Sequence, residues 1–362
     1  MISPTDNSES GTPAPVWVLL GHKAGDNNQV LALAESLGVR WHAKHMCYRT
    51  TEILSNLLLG PNLCGIDKQS RSRIIPPWPR LIISAGRRNE PIALWIRDKA
   101  PHPVKLVHIG RPWAKPERFD LIVTTPQYQL ADAPNVLRFD LPLYRIIGSD
   151  EKDQLESWKT QLCHLPTPWF AVLLGGDSGK FYLDTNKARR IGHMASDLAA
   201  AHGGSLLITT SARSPYQAGD DVSKAVSVPH FLFDWHKGGE DNPYRAFLEL
   251  AAAFVVTGDS MSMLAEACAT RKPVYIFDMK NDGPGGIKRL LRSLSYKSLT
   301  HQLAQQIAPL RMRRDVSLLH SALIEKGRAV WLGQDFAESH LPPLPDTTQA
   351  TLRVLEMLDA TN

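Results

Sequence analysis

The chain has 362 residues, of which 43% are hydrophobic, which is enough for two α/β domains with separate cores. Its 41 lysines and arginines exceed its 36 acidic residues and give a net charge of +5. The basic residues are spread among acids without interleaved aromatic residues, so composition excludes a disordered chain and indicates no nucleic-acid partner.

Four cysteines, Cys47, Cys64, Cys163 and Cys268, are scattered without a Cys-x-x-Cys pair. This spacing argues against a zinc site and against a disulfide framework, so we expect no metal and a reducing compartment. Residues 1–15 lack the charged start and apolar centre of a signal peptide and predict a disordered lead-in. No apolar run approaches the roughly 20 residues of a membrane span.

The first half of the chain alternates predicted strands and helices. A buried strand at 17–20 runs into a polar loop at 21–29, and an amphipathic helix follows with Val30, Leu33, Ala34 and Leu37 on its apolar side. Further strands are predicted at 80–84, 104–109, 119–124 and 135–139, with helices at 53–59 and 90–99. Such alternation implies a parallel sheet.

A polar segment at 148–159 and a proline-containing stretch at 165–168 separate this half from a second one. The second half has predicted strands at 169–174, 205–209 and 230–234 and helices at 185–201 and 243–252. We therefore divide the chain into a lead-in (1–15), an N-terminal Rossmann-like domain (16–150), a C-terminal Rossmann-like domain (165–340) and a last helix (345–362) that packs on the N-terminal domain.

The segment at 254–277 carries the clearest functional pattern, because it predicts a strand, a tight polar loop, a helix and another strand. Gly258 permits the turn, and Asp259 or Ser260 can cap the helix, whose apolar side carries Met263, Leu264, Ala267 and Cys268. Open parallel sheets bind ligands at the carboxyl ends of strands, and the free amides of a helix's first turn suit a phosphate. The alternative is an ordinary strand–helix–strand unit.

The order of these elements resembles the nucleotide-sugar half of GT-B glycosyltransferases and of sugar-nucleotide 2-epimerases. More narrowly, the chain resembles the bacterial proteins of the plant mitochondrial-fission (elongated mitochondria) family. The residues that carry this resemblance lie at 23–25, 28–29, 84–88, 119–120, 126, 174–176, 210–215, 257–263, 266–268 and 272–274. The resemblance implies an α/β, GT-B-like fold with two Rossmann-like domains that face each other across a cleft.

The resemblance also implies a glycosyltransferase that uses a nucleotide-activated sugar and no cofactor, with a glycan or glycolipid of the cell envelope as acceptor. We expect a cytoplasmic protein, with the basic stretches at 287–292 and 311–314 able to rest on an anionic membrane surface at the inner face of the inner membrane. No Asp-x-Asp pair follows a strand at the candidate site, so transfer is expected to be metal-independent. Two alternatives are a non-catalytic recruitment module and a nucleoside-diphosphate-sugar epimerase.

Sugar transfer needs groups that hold and neutralise the leaving phosphate. The predicted nucleotide- and phosphate-binding residues share positions after strands of the second half, and they are Gly175, Gly176, Lys180, Ser211, Arg213, Gly258, Asp259, Ser260, Met261, Ser262 and Glu266. Glu266 can accept hydrogen bonds from a ribose, and Arg213 or Lys180 can neutralise the phosphate. Arg213 can equally be a surface arginine, and Ser211 can contact a phosphate or cap a turn.

Transfer also needs a base for the acceptor hydroxyl, and the first half supplies the candidates. Asp26 is preferred as the base over His22, although Asp26 can equally be a helix N-cap and His22 an exposed loop residue. The predicted acceptor-binding residues are Gly21, Lys23, Asn27, Gln29, Gly86, Arg87 and Arg88. The two adjacent arginines favour a carboxylate or phosphate over a neutral sugar.

Overall fold

A computed structural model describes residues 15–49, 60–144, 152–178, 181–238, 241–280, 314–336 and 346–359. The helix predicted at 53–59, the basic stretch at 287–292, Lys180 and nearly all of the lead-in lie outside the described residues. The chain forms two compact units: the described part of unit 1 spans 15–144, 314–315 and 346–359, and that of unit 2 spans 152–280 and 316–336.

Unit 1 contains a parallel six-stranded sheet of order β2-β1-β3-β4-β5-β6. Its strands are β1 (Val16–Leu20), β2 (Trp41–His45), β3 (Leu81–Ala85), β4 (Lys105–Ile109), β5 (Leu121–Thr124) and β6 (Val136–Arg138). Its helices are α1 (Ala24–Ser36), α2 (Lys68–Ser72), α3 (Glu90–Lys99) and, from the end of the chain, α10 (Asp346–Asp359). The strand order reverses between β1 and β3, where doubly wound sheets bind ligands.

The sheet of unit 1 separates two apolar layers. Val16, Val18 and Leu20 of β1 face the layer that contains α1, whereas Trp17 and Leu19 face the opposite layer. This is the alternation that a strand imposes on successive side chains. Helix α10 closes the first layer with Ala350 and Val354 and packs on α1, where the hydroxyl of Ser36 contacts that of Thr351 at 2.5 Å.

Unit 2 contains a second parallel six-stranded sheet, of order β12-β11-β10-β7-β8-β9. Its strands are β7 (Trp169–Leu173), β8 (Ser205–Thr209), β9 (His230–Phe233), β10 (Ala253–Thr257), β11 (Val274–Phe277) and β12 (Val330–Trp331). Its helices are α4 (Lys152–Leu162), α5 (Thr185–Ala201), α6 (Ala218–Ser223), α7 (Tyr244–Leu250), α8 (Met261–Ala269) and α9 (Val316–Glu325). This is the Rossmann strand order, with its reversal between β7 and β10.

Two parallel sheets with helices confirm the α/β prediction, and the structure corrects the sequence in several elements. Helix α4 begins within the polar segment predicted at 148–159 and buries Trp158 against Phe231 at a ring distance of 5.7 Å. Helix α1 begins at Ala24, inside the loop predicted at 21–29. The sequence also missed the polar strand β2, the two-residue strand β12 and helices α2, α6 and α9.

Candidate functional site

At the reversal point of unit 2, the loops that follow β7 and β10 are joined by hydrogen bonds. The amide of Gly175 donates to Thr257 Oγ1 at 2.7 Å, and the amide of Gly176 donates to Asp259 Oδ2 at 3.0 Å. A Cβ atom at Gly175 would lie 2.5 Å from both carboxylate oxygens of Asp259. Glycine is therefore required because the carboxylate fills that space. Both amides, predicted as phosphate ligands, already have acceptors within the loop.

The Asp259 carboxylate is buried and holds a cation at this loop. Arg213 Nη1 lies 3.0 Å from Asp259 Oδ2, and 42% of the Arg213 side chain stays exposed. Burial raises the pKa of Asp259, against the opposing effects of Arg213, Thr257 and the Gly176 amide. Asp259, predicted among the phosphate-binding residues, thus orients Arg213 and the glycine loop in this structure.

The N-terminus of α8 directly follows this loop. Ser260 occupies the N-cap position, but no side-chain hydrogen bond caps the helix, so the predicted side-chain cap by Asp259 or Ser260 is absent. The first-turn amides at 261–263 therefore point their partial positive charge out of an uncapped helix end. Ser262 and Glu266 lie one turn apart on the partly exposed side of α8, where Met263, predicted on the apolar side, is partly exposed as well.

Glycine at position 258 is explained by close packing and not by the backbone conformation expected of a tight turn. Its backbone does not adopt a positive φ, but an added Cβ would lie 3.0 Å from the His320 ring and 3.1 Å from the carbonyl oxygen of Phe277. Close packing of β10 against β11 and α9 therefore leaves little space for a side chain at this position.

Glu266, predicted to bind a ribose, has a protein donor. The hydroxyl of Tyr244 on α7 donates a hydrogen bond to Glu266 Oε2. Burial, followed by the charge of Glu266, raises the pKa of Tyr244 well above its usual value. The tyrosine therefore stays protonated and fixes the orientation of the carboxylate.

The loop that follows β8 is a closed turn. Ser211 Oγ donates to the carbonyl oxygen of Gly175 at 2.7 Å, and the Ser211 amide donates to Ser214 Oγ at 2.9 Å. The amide of Arg213 lies 3.3 Å from Ser211 Oγ. These bonds favour the turn-capping role of Ser211 over direct contact with a phosphate. Lys180, the other cation predicted here, lies outside the described residues.

In unit 1, the loop after β1 is closed by Asn27. The Gly21 amide donates to Asn27 Oδ1, and Asn27 Nδ2 donates to the Gly21 carbonyl oxygen, both at 2.8 Å. Gln29 Nε2 donates to the carbonyl oxygen of Gly25 at 3.2 Å. Of these predicted acceptor-binding residues, Asn27 thus shapes the loop with both ends of its amide.

Asp26 lies in the first turn of α1 and faces the loop that follows β3. The N-cap of α1 is Lys23, so the alternative role of Asp26 as N-cap is wrong. Lys23 Nζ lies 4.0 Å from Asp26 Oδ2. Gly86 has a φ of 73°, and a Cβ there would approach Asp26 Oδ2 to 3.0 Å. The backbone after β3 therefore comes close to the carboxylate of the predicted base.

His22 and Arg88 bring the two loops of unit 1 together. Arg88 Nη1 lies 2.9 Å from a ring nitrogen of His22. Burial lowers the pKa of His22, Arg88 and Lys23 lower it further, and Asp26 opposes them. The imidazole is therefore neutral at neutral pH and accepts a hydrogen bond from the Arg88 guanidinium.

The two adjacent arginines rest on different aromatic rings. The guanidinium of Arg88 lies 5.3 Å from the Tyr48 ring centre, and that of Arg87 lies 4.8 Å from the Trp113 ring centre. Such cation–π contacts hold a guanidinium in place while its edge can still contact a ligand. The aromatic partners were not predicted from the sequence.

A buried polar array behind these loops also escaped sequence analysis. Ser84 Oγ lies 3.2 Å from His108 Nδ1, and His108 Nε2 lies 3.8 Å from Glu90 Oε1. Glu90 accepts the amides of Trp113 and Ala114 at 2.8 to 2.9 Å. The carboxylate therefore fixes the loop that follows β4. These residues are isolated polar positions in three apolar elements, and no sequence pattern links them.

Burial determines the charge state of the histidine in this array. It lowers the pKa of His108 to about 3, opposed by a backbone hydrogen bond with Arg111. His108 is fully buried and hence neutral above that pH. The array is a structural support for the loop, since its hydroxyl and imidazole are closed to solvent.

The sequence of this chain matches the family model of "Mitochondrial fission ELM1" over residues 24–358. The chain belongs to this family. Mitochondrial fission protein ELM1 of Arabidopsis thaliana is 27% identical over 241 residues, an alignment that covers 60% of this chain and 56% of the plant protein. The match to this ELM1 thus spans little more than half of the plant protein's length.

Solved structures of low sequence identity resemble the ELM1-family chain. UDP-GlcNAc 2-epimerase from Methanocaldococcus jannaschii is 11% identical, with a TM-score of 0.49 over 95% of this chain and 99% of that one. The glycosyl transferase family 9 protein from Veillonella parvula DSM 2008 is 12% identical, with a TM-score of 0.43 over 86% and 98%.

The described residues contain no group of three or more His, Cys, Asp or Glu side chains that could hold a metal ion. None of their helices is long and apolar enough to cross a membrane. All four cysteines are described, and none is bonded to another.

Proposed function

We propose that this ELM1-family protein binds a nucleotide-activated sugar through unit 2 and transfers the sugar to an acceptor without a metal ion. The observation that carries the proposal is the uncapped N-terminus of α8 at the strand-order reversal of a Rossmann sheet. Amides at such a helix end attract phosphate oxygens. Arg213, held by Asp259, supplies a fixed cation beside them, and Glu266 lies one turn further along the helix.

Each of these groups has a task in the proposed transfer. The first-turn amides of α8 hold the phosphates, and Arg213 offsets the negative charge that grows as the sugar bond breaks. Glu266, oriented by Tyr244, accepts hydrogen bonds from the ribose hydroxyls. A charged arginine and helix amides together supply the electrostatic stabilisation that a divalent ion supplies in other sugar transferases.

The acceptor chemistry is assigned to unit 1. Asp26 takes the proton of the attacking hydroxyl, and the neutral His22 is the second candidate for this step. The acceptor is a glycan or glycolipid of the cell envelope, so we place the protein at the cytoplasmic side of a membrane, in peripheral contact with it. The family name favours a second function, a binding module without turnover, and an epimerase remains the third.

The first experiment is a thermal-shift screen with UDP, GDP, ADP and CMP, each with and without a linked sugar. A nucleotide at 100 times its dissociation constant stabilises the protein by about 2.7 kcal/mol. Arg213→Gln should weaken that effect, whereas Arg189→Gln, an exposed residue on α5, should leave it unchanged. No stabilisation by any nucleotide would refute the proposal. Stabilisation without turnover of any sugar nucleotide would favour the binding module.

A further inference from the structure

Three arginines of unit 1 lie around the loop that follows β4 and the short turn Pro126–Tyr128 that follows β5. We call Arg87, Arg111 and Arg314 the arginine cluster. The Arg111 guanidinium lies 5.8 Å from the Tyr128 ring centre, and Arg314 Nε donates to Gln127 Oε1 at 2.8 Å. Two guanidinium groups are thus anchored on adjacent residues of one turn.

The third arginine, Arg87, lies in the loop after β3 and contacts the loop that follows β4. Arg87 stacks on Trp113, two residues beyond Arg111, at 4.8 Å. Glu90 holds the backbone of this loop through its two bonds to the amide of Trp113 and its bond to Ala114. The arrangement is therefore rigid, because a buried carboxylate, a tryptophan and a hydrogen-bonded turn each fix one part of it.

The positive charges of Arg87 and Arg314 lie close enough to Arg111 to act on it. Burial lowers the pKa of Arg111, and Arg314 and Arg87 lower it further, against the opposing effects of Tyr128 and Glu90. Arg111 Nη1 is buried and has no hydrogen-bond partner among the described residues. A buried donor without an acceptor, beside like charges, costs free energy that a bound anion would recover.

A small cavity lies beside the same turn. It has a volume of about 20 Å³ and is lined by Gly110, Thr124 and Tyr128 among others. The hydroxyl of Thr124 is buried and has no hydrogen-bond partner among the described residues. The cavity has room for a water molecule, which could bridge this hydroxyl to a ligand.

We propose that the arginine cluster is a binding site for a phosphate group. Guanidinium groups match the planar pairs of oxygen atoms that a phosphate presents. Only the assignment of this phosphate to the acceptor rests on the proposed function; the site itself rests on the cluster. The acceptor is then a phosphorylated glycan or a phospholipid-linked glycan.

Isothermal titration with inorganic phosphate and with pyrophosphate tests the site directly. We expect saturable binding that Arg111→Gln and Arg314→Gln each weaken by at least about tenfold, the effect of losing one charge-assisted hydrogen bond. Arg73→Gln, an exposed residue at the end of α2, is the matched control and should bind as the unaltered chain does. No saturable binding, or equal binding by all four proteins, would overturn the proposal.

Thermal unfolding shows whether a variant binds phosphate less because it lacks the arginine or because it folds poorly. Without phosphate, Arg111→Gln should unfold at the same temperature as the unaltered chain or higher, because the substitution removes like-charge repulsion. With pyrophosphate, the unaltered chain and the control should gain more stability than Arg111→Gln and Arg314→Gln, in which only the proposed unit 2 site can still bind the anion. If Arg111→Gln and Arg314→Gln gain as much stability as the unaltered chain, the anion binds elsewhere and the site is wrong.

Further measurements distinguish a glycan phosphate from a lipid phosphate, and the arginine cluster from the proposed nucleotide site in unit 2. A soluble sugar monophosphate that competes with pyrophosphate indicates a glycan acceptor. Phosphatidylcholine vesicles that bind the protein only when they contain phosphatidic acid, and only through the arginine cluster, indicate a lipid phosphate. Nucleotide stabilisation should survive in Arg111→Gln and fall in Arg213→Gln, so failure of the unit 2 site would not be mistaken for failure of this one.

Discussion

Replacing His108 by glutamine should remove much of the loss of stability that acid causes in unit 1. Burial lowers the pKa of His108 from 6.5 to about 3 in the folded chain. Between these values the unfolded chain binds a proton that the folded chain does not, so stability falls as the pH drops through this window. Glutamine does not titrate and cannot produce this loss.

The magnitude follows from the width of the window. A span of roughly 3.5 pH units at ~1.36 kcal/mol per unit gives a full loss of about 5 kcal/mol. Between about pH 7.5 and 4.5 only part of the window is crossed, and the expected loss from His108 alone is about 2.7 kcal/mol.

Urea unfolding of the unaltered chain and of His108→Gln at the two pH values measures this difference. The free energy of unfolding of the variant should fall by about 2.7 kcal/mol less than that of the unaltered chain. His102→Gln, an exposed histidine of the same unit, is the control and should keep the full acid sensitivity. Equal acid sensitivity in His108→Gln and the unaltered chain would refute a neutral, buried His108 and the array built on it.

Three more predictions concern the proposed transfer. Glu266→Gln should weaken nucleotide binding by about 1.5 to 3 kcal/mol in calorimetry, whereas Asp26→Asn should keep the affinity and abolish turnover; equal losses of affinity would contradict this division. Gly175→Ala should abolish nucleotide stabilisation in the thermal-shift assay, because its Cβ would lie 2.5 Å from the Asp259 carboxylate, and unchanged stabilisation would contradict that packing. Nucleotide binding should survive chelation, and binding lost with a chelator and restored by magnesium would refute a metal-free site.

Periodicity predicted most of the fold. The apolar side of α1 is buried at Val30, Leu33 and Ala34, as its spacing indicates, and ten of the twelve strands among the described residues follow apolar runs. Strand β2 was missed because its sequence, Trp-His-Ala-Lys-His, mixes polar and apolar residues at a partly exposed edge of the sheet. Helix α4 was missed because its charged residues obscure the few positions, such as Trp158, that it buries.

Loop chemistry was harder to predict than the elements, because it depends on residues far apart in the chain. The sequence placed Asp26, His22 and Arg88 on neighbouring loops, and in the structure Arg88 contacts His22 while Asp26 lies beside Gly86 of the loop after β3. It could not show that Asp259 would turn towards Arg213 instead of capping α8, since that depends on the space left by a glycine 84 positions earlier in the chain.

The proposed phosphate site at α8 is tested most directly by the amides themselves. Methionine-selective ¹⁵N labelling gives signals from Met261 and Met263 in the first turn of α8, with Met46 and Met194 as reporters elsewhere in the two units. On addition of the nucleotide that stabilises the protein most, the Met261 and Met263 signals should shift while those of Met46 and Met194 stay in place. A nucleotide that binds but leaves Met261 and Met263 unshifted would contradict the account.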